Sequence, residues 1–173
     1  MATAKRFARA VGMEWTDDRA FGTLRGPKEA SPAVWIIAAA AGDGGAVHYH
    51  VDAGANYVCF ARAPLDSARQ TSAIELSANE AMERAARAVE ATGVMRDQFA
   101  LRMLALECDP LSGAQRWRVE WERVLGGKRV STLARVLLDA ESGAPLQMMR
   151  ADLYEVPGDL AIDRQEVIRL ALE

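Results

Sequence analysis

His48, His50 and Asp52 stand at alternate positions in the segment Val47-His48-Tyr49-His50-Val51-Asp52. In an extended strand alternate side chains share a face, so two imidazoles and a carboxylate line up. These groups suit zinc or a similar ion, with a fourth ligand to come from a neighbouring strand. The plainer reading of the same alternation is a solvated strand face opposite Val47, Tyr49 and Val51. Cys59 or Cys108 beside a histidine would make a nucleophile and base. No nucleophile turn surrounds either thiol, and unpaired cysteines in strand-like contexts read as small buried hydrophobes. Glu107-Cys108-Asp109 offers acids for proton transfer, but beside the turn Asp109-Pro110-Leu111-Ser112-Gly113 a solvated loop is the simpler reading.

Arg116, Arg118, Glu120 and Glu122 alternate with Trp117, Val119 and Trp121. The charged set reads as cross-strand ion pairs on an exposed face, as a selector of a charged partner strand, or as plain solvation. The tryptophans read as core rather than as a stacking platform. Gly42-Asp43-Gly44-Gly45 is a turn, since it lacks the lysine and following helix of a phosphate loop. No catalytic set and no cofactor motif emerges. The expectation is a protein that is not an enzyme, with a metal-binding protein or small enzyme using His48, His50 and Asp52 as the alternative.

Composition narrows the field. The 173 residues carry a net charge of −3, with basic residues scattered rather than striped, which leaves no footprint for nucleic acid. Half the residues are hydrophobic, enough for a core of useful size. The longest apolar run, Ala33 to Ala41, falls short of the roughly 20 residues of a membrane helix and reads as a buried strand. No apolar signal region follows Met1-Ala2-Thr3-Ala4-Lys5-Arg6. The expectation is therefore a cytoplasmic protein, or one in which Met1 stands where a signal was removed. Two cysteines make no disulfide framework.

The elements that position these residues follow from periodicity. Thr3 to Gly12 predicts a helix, with Gly12 as its stop. Strands are predicted weakly around Arg19 to Leu24, then at Val34 to Ala41, Val47 to Asp52 and Tyr57 to Arg62. Residues 63–76 read as a linker. Ser77-Ala78-Asn79-Glu80 is a capping box. The alanine-rich stripe of Ala81, Met82, Ala85, Ala86, Ala88 and Val89 lets the helix it opens lie close to a sheet. Gly93 ends that helix. Phe99 to Leu106, Arg116 to Glu122, Arg129 to Asp139 and Leu146 to Tyr154 predict further strands. Asp163-Arg164-Gln165-Glu166 is another capping box, ahead of Val167, Ile168, Leu170 and Ala171.

The chain also repeats a pattern. His48 to Asp52-Ala53 runs through Gly54 to Tyr57–Arg62; Val136 to Asp139-Ala140 runs through Gly143 to Leu146–Arg150. Each reads as strand, Asp-Ala, glycine turn, strand, arginine. Arg135 and Leu137 stand where the later copy would need metal ligands, which favours the solvated reading of His48 and His50. The expected fold is α+β, in two tandem units of one helix on a three- to four-stranded antiparallel sheet. Residues 1–62 form the first unit, 63–76 a linker, 77–154 the second unit, and 155–173 a helix that opens a third. One helix covers one face of such a sheet. The other face is then solvated, paired with the sibling unit, or used for binding.

The capped helix from Ser77, the Trp-bearing strand from Arg116 to Glu122 and the run Ala134 to Arg150 ("ARVLLDAESGAPLQMMR") resemble a PepSY-type domain. The arrangement is similar to the tandem PepSY-like organisation of YcdB-type bacterial envelope proteins. The likeness covers residues 77–154, and in the first half only Val47 to Arg62. The resemblance implies a non-catalytic binding or regulatory module outside the cytoplasm, with a peptidase or another envelope protein as partner. It supplies no catalytic residues. A structural segment of a longer repeat protein is a further alternative, favoured by the incomplete third unit.

Overall fold

The computed structural model describes residues 1–13, 15–16, 20–26, 33–41, 45–64, 73–110 and 112–151. The elements run α1 (Ala2–Val11), β1 (Ala20–Arg25), β2 (Val34–Ala40), β3 (Ala46–Asp52), β4 (Val58–Arg62), α2 (Ala78–Glu90), β5 (Phe99–Cys108), β6 (Gln115–Leu125), β7 (Lys128–Asp139) and β8 (Pro145–Arg150). The expected start of a third unit, with the Asp163 capping box, lies outside the described residues, as does the turn at 42–44.

The eight strands form one antiparallel sheet in the order β1-β2-β3-β4-β8-β7-β6-β5. This corrects the expectation of two tandem helix-on-sheet units. The last strand of each half pairs with the other, Phe60 opposite Met149 and Arg62 opposite Gln147. Both helices lie on a single core and pack against one another. The physical reason lies in the edges. A small sheet that ended at β4 or β8 would leave a row of backbone N–H and C=O groups unpaired. Joining the two edges satisfies both rows.

Register explains the core. Ile37, Tyr49, Ala61, Met148, Val136 and Val119 are successive cross-strand neighbours from β2 to β6. Neighbours in register point to the same face, and all six are at most 1% exposed. From above, α1 contributes Ala4, Phe7 and Ala8, with Phe7 meeting the Tyr49 ring edge-on at 6.4 Å. The buried stripe of α2 is Ala81, Ala85, Ala86, Ala88 and Val89, and its small side chains let the helix approach closely.

The ends of α2 are fixed on both sides. The Glu80 amide donates to Ser77 Oγ at 3.3 Å, and the Ser77 amide donates to Glu80 Oε2 at 3.0 Å. Beyond the other end, Arg150 of β8 donates through Nη1 to the Thr92 carbonyl at 2.9 Å. A cation near a helix C-terminus complements its dipole. The same guanidinium lies 3.8 Å from the centre of the Tyr57 ring. Trp117 ties the segment before α2 to the sheet, its indole N–H donating to the Leu76 carbonyl at 2.9 Å. Among the described residues no helix is long and apolar enough to cross a membrane.

Candidate functional site

The sheet has a second face, and the buried core lies on the other side of it. One row across this face reads Ile36, His50, Phe60, Met149, Arg135, Glu120 and Met103. The next row reads Phe21, Ala38, His48, Arg62, Gln147, Leu137 and Arg118. Contacts agree with the register: the His50 and Phe60 rings meet at a tilt with centroids 4.8 Å apart, and Arg135 Nε donates to Glu120 Oε1 at 2.8 Å. The middle of the face is apolar and partly open, with Met149 43% exposed. Towards β5 it becomes a lattice of charges.

Glu120 is the centre of that lattice and is only 4% exposed. Arg118 Nη2 reaches its Oε1 at 2.5 Å, and Arg135 donates to the same oxygen. Arg118 also donates to Glu107 at 2.9 Å. Arg102 lies 3.9 Å from Glu120 and 3.8 Å from Glu122. Burial pushes the Glu120 carboxyl up, but the hydrogen bonds and charges of Arg118 and Arg135 outweigh it and hold the acid below its ordinary range. The sequence reading of this strand as a charged, exposed face is half right. The ion pairs are present, but the central acid is buried.

The metal candidates separate by role. His48 and His50 do share the open face, His48 exposed and His50 half-buried. Burial, with help from the positive neighbours His48 and Arg25, depresses the His50 imidazole. Asp52 is committed elsewhere: its Oδ1 accepts from the amides of Gly54 at 2.8 Å and Ala55 at 2.5 Å, folding the β3–β4 turn. Asp139 does the same in the β7–β8 turn, accepting from the amides of Glu141 at 3.2 Å and Ser142 at 2.8 Å. The repeated Asp-Ala is therefore an Asx-turn signature. Among the described residues no three His, Cys, Asp or Glu side chains come together as a metal-binding group.

The remaining candidates also have other partners. Cys59 Sγ donates to the His50 carbonyl at 3.3 Å, and burial raises its thiol pKa, so it is held as the protonated thiol. Cys108 is exposed at the end of β5 and is not the core thiol its strand-like context suggests. Asp109 pairs with Arg116 at 2.9 Å and accepts from the Ser112 amide at 3.2 Å, while Glu107 belongs to Arg118. Trp121 is core, 3% exposed and edge-on to Phe99 at 5.1 Å.

Sequence reasoning missed the apolar half of the open face. Phe60 and Met149 become neighbours only when β4 and β8 pair. A local signal did exist: Leu146-Gln147-Met148-Met149 has too little polar alternation for an edge strand, which marks a central one. Comparison with models of known families, with curated proteins and with solved structures finds no match.

Proposed function

We propose that the protein is a binding or regulatory module that holds a protein partner on the open face of its sheet. The carrying observation is the pairing on one face of a partly open apolar centre, Phe60 and Met149, with arginines fixed in place by a buried glutamate. Apolar anchors beside preorganised charge are the composition of a specific interface core. Arg118, Arg135 and Arg62 stand close to that centre, so an acidic partner surface complements it. The reading agrees with what a PepSY-type resemblance implies, a regulatory module with a peptidase or envelope protein as partner. On this reading no residue of the face needs to react.

The test uses the full chain as bait against the envelope fraction of the native organism, with Phe60→Asp as the comparison. The expected result is a partner retained stoichiometrically by the wild-type chain and lost by the variant. Equal retention by both, or no partner for either, contradicts the proposal.

A further inference from the structure

The helix side of the sheet has a corner in which buried donors collect. Among the described residues, the buried side-chain polar atoms without a hydrogen-bond partner are Trp121 Nε1, Ser131 Oγ and Arg150 Nε. Register brings the three together. Arg150, Ala134 and Trp121 are successive cross-strand neighbours on β8, β7 and β6. Two residues on from Trp121, Arg123 points to the same side of β6, and its cross-strand partner is Ser131. Strands lie about 4.8 Å apart, so roughly 10 Å separates Arg150 from Trp121, with Ser131 and Arg123 beside them. Native structures leave few buried polar groups unpaired, and each such group has a reason. Here two are obligate donors and the third can donate, so a single acceptor answers all three.

Charge defines the acceptor. Among the described residues no ion pair includes Arg123 or Arg150, whereas neighbouring Arg96, which lies over the Phe99 and Trp121 rings, pairs with Glu83 and Glu90. Asp52 acts on Arg150 through its charge, but its Oδ1 is held by the turn amides. Burial and then the Arg123 charge lower the Arg150 pKa, so two like charges act on one another here. The Arg150 guanidinium is nevertheless fixed. Its Nη1 donates to the Thr92 carbonyl at 2.9 Å and to Thr92 Oγ1 at 3.1 Å, and it lies 3.8 Å from the centre of the Tyr57 ring. That arrangement leaves the Nε–Nη2 edge, the fork whose parallel N–H bonds fit two oxygens of one anion. Both arginines are half-buried, so solvent ions reach the corner. Two positive charges with donors from three strands match an acceptor-only group of charge about −2, which a phosphate group is at neutral pH. We infer that Arg123, Ser131 and Arg150, with the Trp121 indole N–H, bind a phosphate group at this corner. A guanidinium already held by Thr92 and Tyr57 loses little freedom on binding. The site lies across the sheet from the open face and does not rest on the partner-binding reading.

The experiment titrates the isotope-labelled full chain with inorganic phosphate at constant ionic strength and follows the indole N–H resonances. Trp121 is assigned by the loss of its signal in Trp121→Phe. The expected result is a saturable shift of the Trp121 resonance, while that of Trp117, whose N–H is held by the Leu76 carbonyl, stays in place. Arg123→Gln breaks no ion pair among the described residues, so it tests the site without the structural bonds that Arg150 carries. It should weaken phosphate binding about tenfold or more, as the loss of one charge-assisted contact gives. Arg129→Gln, which alters a surface arginine paired with Glu122, should leave the affinity unchanged. A Trp121 resonance that ignores phosphate overturns the inference. So does equal affinity in Arg123→Gln, and so does acetate binding as tightly as phosphate, which marks the corner as a carboxylate site. None of these outcomes touches the partner-binding reading, which is decided by capture with Phe60→Asp.

Discussion

Asp52 shows how a residue with ligand chemistry becomes a structural one. Its carboxylate holds two amides of a hairpin turn, and Asp139 repeats the arrangement in a turn that has no histidines nearby. Replacing Asp52 with alanine should cost about 1–3 kcal/mol by removing two hydrogen bonds to a charged acceptor. Thermal melts should show the same loss with and without added zinc; a loss confined to the zinc-loaded protein would contradict the turn assignment. His50 gives a pH prediction. Its folded pKa lies below the ordinary 6.5, so the unfolded chain takes up the proton first and stability declines as pH falls below about that value. Denaturant melts of His50→Gln should show a shallower decline between neutral pH and pH 5 than the wild type, and parallel curves would contradict the assignment. Glu120 works at lower pH. Its depressed carboxyl contributes stability that is complete above its ordinary value of 4.5 and is lost as pH falls through the folded pKa. Glu120→Gln should therefore destabilise by about 1–3 kcal/mol at pH 7 and much less in acid, measured by denaturant melts at both.

At the scale of the element, the sequence was most legible where order is local. The capping box at Ser77, the stop at Gly12 and the alternation of Trp117, Val119 and Trp121 each depend on neighbours within four residues, and each appears in the structure where its residues place it. Gly143 is a sharper case. It has a left-handed φ of 69°, and a Cβ there would run into the Arg84 guanidinium, which donates to the Ser142 carbonyl at 2.9 Å. Gly143→Ala should thus strain the turn and displace the arginine that ties α2 to the β7–β8 hairpin. The expected loss is about 1–2 kcal/mol, read as a lowered melting temperature; an unchanged melt would show that the turn relaxes freely.

For the whole molecule the decisive contact was not legible locally. β4 and β8 are separated by all of α2 and three strands, and nothing within either segment names the other as its partner. Periodicity predicted most of the strands and both helices, but it assigned them to two sheets where the chain builds one. The candidate site followed the same rule. The charges of β6 could be read from alternation, whereas the apolar centre and the burial of Glu120 depend on pairing over long sequence distances. One continuous sheet with both helices on one core leaves a broad second face, where the proposed partner would bind. Methionine oxidation tests this most directly, because three methionines report on different places: Met149 and Met103 lie on the open face, and Met95, 61% exposed, lies in the connection between α2 and β5. With the captured partner bound, peroxide oxidation followed by mass spectrometry should show Met149 and Met103 protected and Met95 unchanged. Protection of Met95, with the two face methionines oxidised as fast as in the free protein, would contradict it.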